Sequence, residues 1–171
     1  YKGMLLYPQS KERIWIGKIL YISILLVFTN LIFMLGAEVF ALICGSTIPL
    51  RANILGTIVL IFTFLFNIPI IMFLTAKFNI FLAVIFNLGM TIFGIISYGS
   101  GINLILKILL YGTSSALMVP ILGILPNGLP APEINSMPNR TGVLGSTLIS
   151  IIIFLILAIL TTIWFGKKEV N

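Results

Sequence analysis

The chain has 171 residues, of which 60% are hydrophobic and only 8% charged, with a mean hydropathy of +1.22. An ordinary soluble domain carries about 25% charge, so this composition lacks the polar surface to cover a water-soluble fold. The +6 balance comes from Lys and Arg scattered singly around apolar runs, which argues against a nucleic-acid patch and fits basic residues at membrane ends. There is no His, which removes imidazole metal ligands and imidazole acid–base chemistry, and Cys44 stands alone, so no intrachain disulfide can form.

In chain order, Tyr1–Lys18 is amphipathic and basic, carrying Lys2, Lys11, Arg13 and Lys18, with Trp15 placed as an interfacial anchor. Pro8-Gln9-Ser10 reads as a turn with Ser10 as N-cap of a helix that runs on into the first apolar stretch. Four stretches then approach or exceed the roughly 20 residues that cross about 30 Å of hydrocarbon. They are 19–43, 54–74, 80–96 and 144–165. Lipid offers no partner for backbone N–H and C=O groups, so these stretches are expected to be helices. The expected fold is therefore an all-α polytopic bundle, with residues 1–18 as a cytoplasmic segment and 19–171 as the transmembrane domain.

Short turns separate the first three spans: Cys44–Arg51, and then Thr75–Asn79. Residues 97–143 differ in character, being rich in Gly and carrying Pro120, Pro126, Pro130, Pro132 and Pro138. With the N-terminus in the cytoplasm, Lys2, Lys11, Arg13, Lys18, Lys77, Lys167 and Lys168 lie inside and only Arg51, Lys107 and Arg140 outside. Ile102–Leu125 is also long enough to span, and a fifth crossing satisfies the charge rule nearly as well. However, Lys107, Gly112 and Pro120 interrupt it. An uncompensated Lys in mid-span costs about 2.5–3.5 kcal/mol, so a re-entrant or interfacial helix on the outer side is favoured.

No catalytic constellation is visible. The P-loop pattern G-x-x-x-x-G-K-[ST] is missing, and Glu12, Glu38, Glu133 and Glu169 are too far apart in sequence to suggest a paired acid site. Ser and Thr lack an activating base. Glu38 is the one acid within a span, where ionisation is costly, which makes it a candidate for substrate contact or gating. The structural alternatives are pairing with Arg51 or Lys107, reaching the headgroups, or protonation. Asn30, Asn67 and Asn87 recur once per span; they either form a polar path for substrate or hydrogen-bond between helices. Pro69 should kink the second span and free a carbonyl that a neighbour must satisfy. Gly142, Ser146 and Ser150, continued by Ala158 and Thr162, form a small-residue row on the last span that allows close helix approach, within the bundle or at a subunit interface.

Lys11-Glu12-Arg13-Ile14-Trp15-Ile16-Gly17-Lys18, running directly into an apolar span, resembles the cytoplasmic connection before the third helix of ABC-2 type permeases. Leu125-Pro126-Asn127-Gly128-Leu129-Pro130, with a last span closing on Trp164-Phe165-Gly166-Lys167-Lys168-Glu169-Val170, narrows this to a resemblance to the permease subunits of lantibiotic self-immunity ABC transporters. The likeness runs over essentially the whole chain. It implies two further helices upstream, in keeping with a chain that opens at Tyr1 rather than Met. It also implies a bacterial plasma-membrane subunit that pairs with a separate ATP-binding subunit, which holds ATP and Mg, and with a second permease subunit or another copy. The complex would export a hydrophobic antimicrobial peptide from the producer's membrane. Ser10, Lys11, Glu12, Arg13, Trp15 and Lys18 would then meet the ATPase, while Glu38, Asn67 and Asn127 would face substrate or gate its path. No cofactor or metal is expected on this chain.

Overall fold

The computed structural model describes residues 10–45, 49–99, 112–123 and 140–167. Of these, 92% are helical and none is in a strand, so the fold is an all-α bundle. The first helix, α1 (Lys11–Cys44), is 34 residues long, or about 51 Å at 1.5 Å per residue. It begins eight residues before the apolar stretch, because hydropathy marks only the lipid-facing part of a helix. Ser10 occupies the N-cap position with extended dihedrals (φ −62°, ψ 142°), yet its hydroxyl makes no capping bond. Its carbonyl accepts the Ile14 N–H at 3.3 Å, and Glu12 complements the positive end of the helix dipole. The helix stops at Gly45, whose left-handed conformation (φ 67°) lets its N–H reach the Ala41 carbonyl.

The second expected span is a broken helix, α2 (Leu50–Phe64) followed by α3 (Asn67–Lys77), with Leu65 and Phe66 in a turn between them. Pro69 has no N–H to offer the Leu65 carbonyl, which instead accepts the Ile68 N–H at 3.1 Å. The carbonyl freed by the proline is thus satisfied by tightening the chain locally, without help from a neighbouring helix. Next come α4 (Ile80–Gly99), α5 (Gly112–Leu122) and α6 (Arg140–Gly166). Helix α5 has 11 residues, about 16 Å, too short to cross a bilayer by itself. The remainder of Ile102–Leu125, including Lys107, lies outside the described residues.

Three units are long and apolar enough to cross a membrane: Lys11–Cys44, the broken pair Leu50–Lys77, and Val143–Gly166. Helix α4 adds 20 residues, about 30 Å of helix. The outward surface is apolar, with Phe28, Phe33 and Phe40 on α1, Phe81 on α4 and Ile159 on α6 all exposed. Apolar side chains exposed along whole helices belong in lipid, which marks a membrane protein.

At the centre, α1 packs on α2, α3 and α6, and α6 also touches α2 and α3; α4 and α5 lie on the far side of α2 and α3. Trp15, Ile19, Ile22 and Leu26 line the inward stripe of α1 at helical spacing. The chain reversals bring the start of α1 and the ends of α3 and α6 together, so Lys11, Arg13, Lys18, Lys77 and Lys167 gather at one end of the bundle. Cys44 and Arg51 mark the opposite end.

Candidate functional site

At the basic end the helices are joined by an aromatic cluster. Trp15 is completely buried, stacked on Phe165 at 4.4 Å and edge-on to Trp164 at 6.3 Å. Its indole N–H donates to the Thr161 hydroxyl at 3.2 Å, which ties α1 to α6. Phe73 on α3 meets Trp164 edge-on at 4.7 Å, and the Lys77 ammonium lies over Phe73 and Phe78 at 5.4 and 5.3 Å. Ile68 and Met72 of α3 complete the core there.

This placement corrects the reading of Trp15 as an interfacial anchor and as part of a surface for a partner. Its ring is enclosed by α6 and α3 and contributes to internal cohesion. Glu12 and Arg13 are exposed, Lys11 and Lys18 half-buried, and Ser10 exposed. The Glu12 side chain lies against Gly166, where an added Cβ would collide with its carboxylate.

At the opposite end, Glu38 on α1 faces α2. The Asn53 side-chain N–H donates to Glu38 Oε1 at 2.6 Å and to the Met34 carbonyl at 3.5 Å. Pairing with Arg51 is not what orients Glu38; Arg51 is exposed, and among the described residues Glu38 makes no ion pair. The alternative partner Lys107 lies outside the described residues. Asn53 was not legible as a partner from residue type alone, but hairpin register supplies the signal. Glu38 stands seven residues before Gly45 and Asn53 eight after it, so antiparallel helices reversing near Gly45 place them side by side.

The three asparagines of the apolar spans do not form one interhelical network. Asn30 donates to the Leu26 carbonyl of its own helix at 2.8 Å. Asn67 opens α3 at the helix break and is 6% exposed, and its Oδ1 has no hydrogen-bond partner among the described residues. Asn87 is half-buried on α4. Asn127 lies outside the described residues.

In the small-residue row of α6, Ser146 is buried and Ser150 fully so, the Ser150 hydroxyl donating to the Ser146 carbonyl at 3.0 Å. Ala158 packs against the aromatic core, and the Thr162 hydroxyl donates to its carbonyl at 2.6 Å. Gly142 lies one turn before Ser146 in the same helix. The row therefore faces the bundle interior from Ser146 onward. A second close approach, invisible in the sequence, occurs at Gly56 of α2. An added Cβ there would stand 3.4 Å from Met118 Sδ and 3.7 Å from both Ile121 and Leu122 of α5.

Among the described residues no group of His, Cys, Asp and Glu could hold a metal ion. No family model, curated protein or solved structure matches the chain.

Proposed function

We propose that this chain is the permease subunit of an ATP-driven exporter in a bacterial plasma membrane, removing a hydrophobic antimicrobial peptide and so conferring self-immunity. One observation carries most of the weight: the first turns of α1 expose Glu12 and Arg13 at the basic end, on the same unbroken 34-residue helix that crosses the membrane. A force applied to those turns by a partner is carried along α1 and, through Trp15 and Thr161, into α6. In this reading the basic end faces the cytoplasm. ATP and Mg are bound by a separate subunit, and a second permease subunit or another copy completes the pathway. Lys11, Glu12, Arg13 and Lys18 meet the ATPase, with Ser10 at the helix start.

The test is purification of the full-length protein from its native membrane in mild detergent, followed by identification of partners and an ATP hydrolysis assay. A stoichiometric ATPase that is lost in the Lys11→Glu/Arg13→Glu variant is the expected result. A lone protein with no ATPase across several detergents would overturn the proposal and favour a passive binding protein. ATPase activity stimulated by another lipophilic compound, and by no peptide, would keep the transporter but change its cargo.

A further inference from the structure

We infer that Glu38 and Asn53 form a binding site for a primary ammonium group carried on an apolar chain, at the bilayer boundary opposite the basic end. Lys18 and Glu38 are 20 residues apart on α1, about 30 Å along the helix, which is the thickness of the hydrocarbon layer. With Lys18 at one boundary, the Glu38 carboxylate stands at the other. Asn53 donates to Glu38 Oε1 at 2.6 Å, a neutral partner that fixes the orientation of the acid side chain. Its second oxygen is neither bonded nor enclosed among the described residues. Arg51 lies two residues before Asn53, roughly 200° round α2, is exposed, and makes no ion pair with Glu38 among the described residues.

The apolar half of the ligand has a matching surface. Leu35 and Leu42, at i−3 and i+4 from Glu38, lie on its face of α1 and are 59% and 82% exposed. A carboxylate at headgroup depth flanked by open leucines suits an ammonium with a hydrocarbon tail. The occupant is an aminophospholipid: Leu35 and Leu42 face the surrounding lipid, where its tails lie.

Cys44 is exposed and six residues beyond Glu38, and the chain has no other cysteine, so it serves as the attachment point for an environment-sensitive fluorophore. The full-length protein, labelled at Cys44 with any cysteine outside these 171 residues replaced by Ser, is placed in phosphatidylcholine nanodiscs and titrated with dodecylamine and separately with dodecanol. The expected result is a saturable response to dodecylamine and none to dodecanol, with Glu38→Gln weakening the amine about 10- to 100-fold, the range of a charge-assisted hydrogen bond. Asn53→Leu, which keeps the charge but loses its orientation, weakens it less. Adding phosphatidylethanolamine to the nanodiscs shifts the dodecylamine curve to higher concentration by competition; an unchanged curve would overturn the lipid as occupant and leave a peptide amine.

An equal response to the amine and the alcohol in the unmodified protein, which needs no variant, would overturn the inference. So would an unchanged amine affinity in Glu38→Gln, the outcome expected if Lys107 already neutralises the carboxylate. The assay uses no ATPase, so its failure is separable from a failed co-purification.

Discussion

Replacing Trp15 by Ala tests what holds the basic end together. In a membrane, exposing apolar surface to lipid costs little, because lipid is as apolar as the side chains it replaces. The loss must therefore come from specific contacts: the Phe165 stack at 4.4 Å, the Trp164 edge contact at 6.3 Å, and the Thr161 hydrogen bond. Each aromatic pair is worth about 0.5–1.5 kcal/mol and a neutral hydrogen bond about 0.5–1.5 kcal/mol. Together these give a destabilisation of about 1.5–4.5 kcal/mol, and the unfilled cavity pushes it toward the upper end. Thr161→Val leaves the buried indole N–H unsatisfied and is expected to cost about 1–3 kcal/mol. Because both changes remove the same bond, the double variant should fall short of additivity by about 1 kcal/mol. The assay is reversible unfolding in mixed detergent with rising dodecyl sulfate, followed by far-UV circular dichroism so that loss of the tryptophan does not affect the signal. Stability within 0.5 kcal/mol of the parent for Trp15→Ala, or strict additivity of the pair, would refute the reasoning and return Trp15 to an interfacial role.

Asn67→Leu removes the buried Oδ1 that has no partner among the described residues and should stabilise the protein by about 1–3 kcal/mol in the same titration; a loss of stability would mean that a bound water or another donor satisfies it. Gly56→Ala places a methyl at ordinary contact distance from α5 and should change stability by less than about 1 kcal/mol, whereas Gly56→Leu should cost about 1–3 kcal/mol by pushing α5 off α2; equal effects would show that α5 does not pack there. Gly166→Ala meets only the outer end of the exposed Glu12 side chain, which can turn aside, so it should change stability by less than about 1 kcal/mol, in Glu12→Ala as in the parent. A loss above about 1 kcal/mol that Glu12→Ala relieves would show that the carboxylate is held in place.

The residues that told most in the sequence were those whose meaning depends on lipid alone. Long apolar stretches must be helical in a bilayer, and the four spans appear as helices, each extended into polar flanks that hydropathy does not see. The N–H missing at Pro69 is a local feature and legible in the sequence, whereas recovery of the Leu65 carbonyl by Ile68, in place of a neighbouring helix, depends on the three-dimensional turn. Trp15 misled because an aromatic beside Lys at a span end is usually an interfacial anchor. Its burial depends on Phe165 and Thr161, some 146–150 residues away, a pairing that one sequence does not encode locally. Asn53 was overlooked for a similar reason, although the Gly45 reversal makes its alignment with Glu38 recoverable. The close approach at Gly56 left no sequence signal, because its partners lie on a short helix whose docking had no periodic signature.

The break at Leu65 and Phe66 divides the crossing unevenly. Below it, α3 is fastened to α1 and α6 by Ile68, Met72 and Phe73; above it, α2 carries α5 against Gly56. Helix α1 passes both regions without interruption. Helix α2, which packs on α1, α5 and α6, is a lever about 22 Å long, so a 10° change of angle at the break would move its far end by about 4 Å. Asn53 rides on that lever close to the tip while Glu38 stays on the continuous helix. A change of a few degrees at the break would be enough to part their 2.6 Å contact, so the Glu38–Asn53 hydrogen bond would report the angle between α2 and α1.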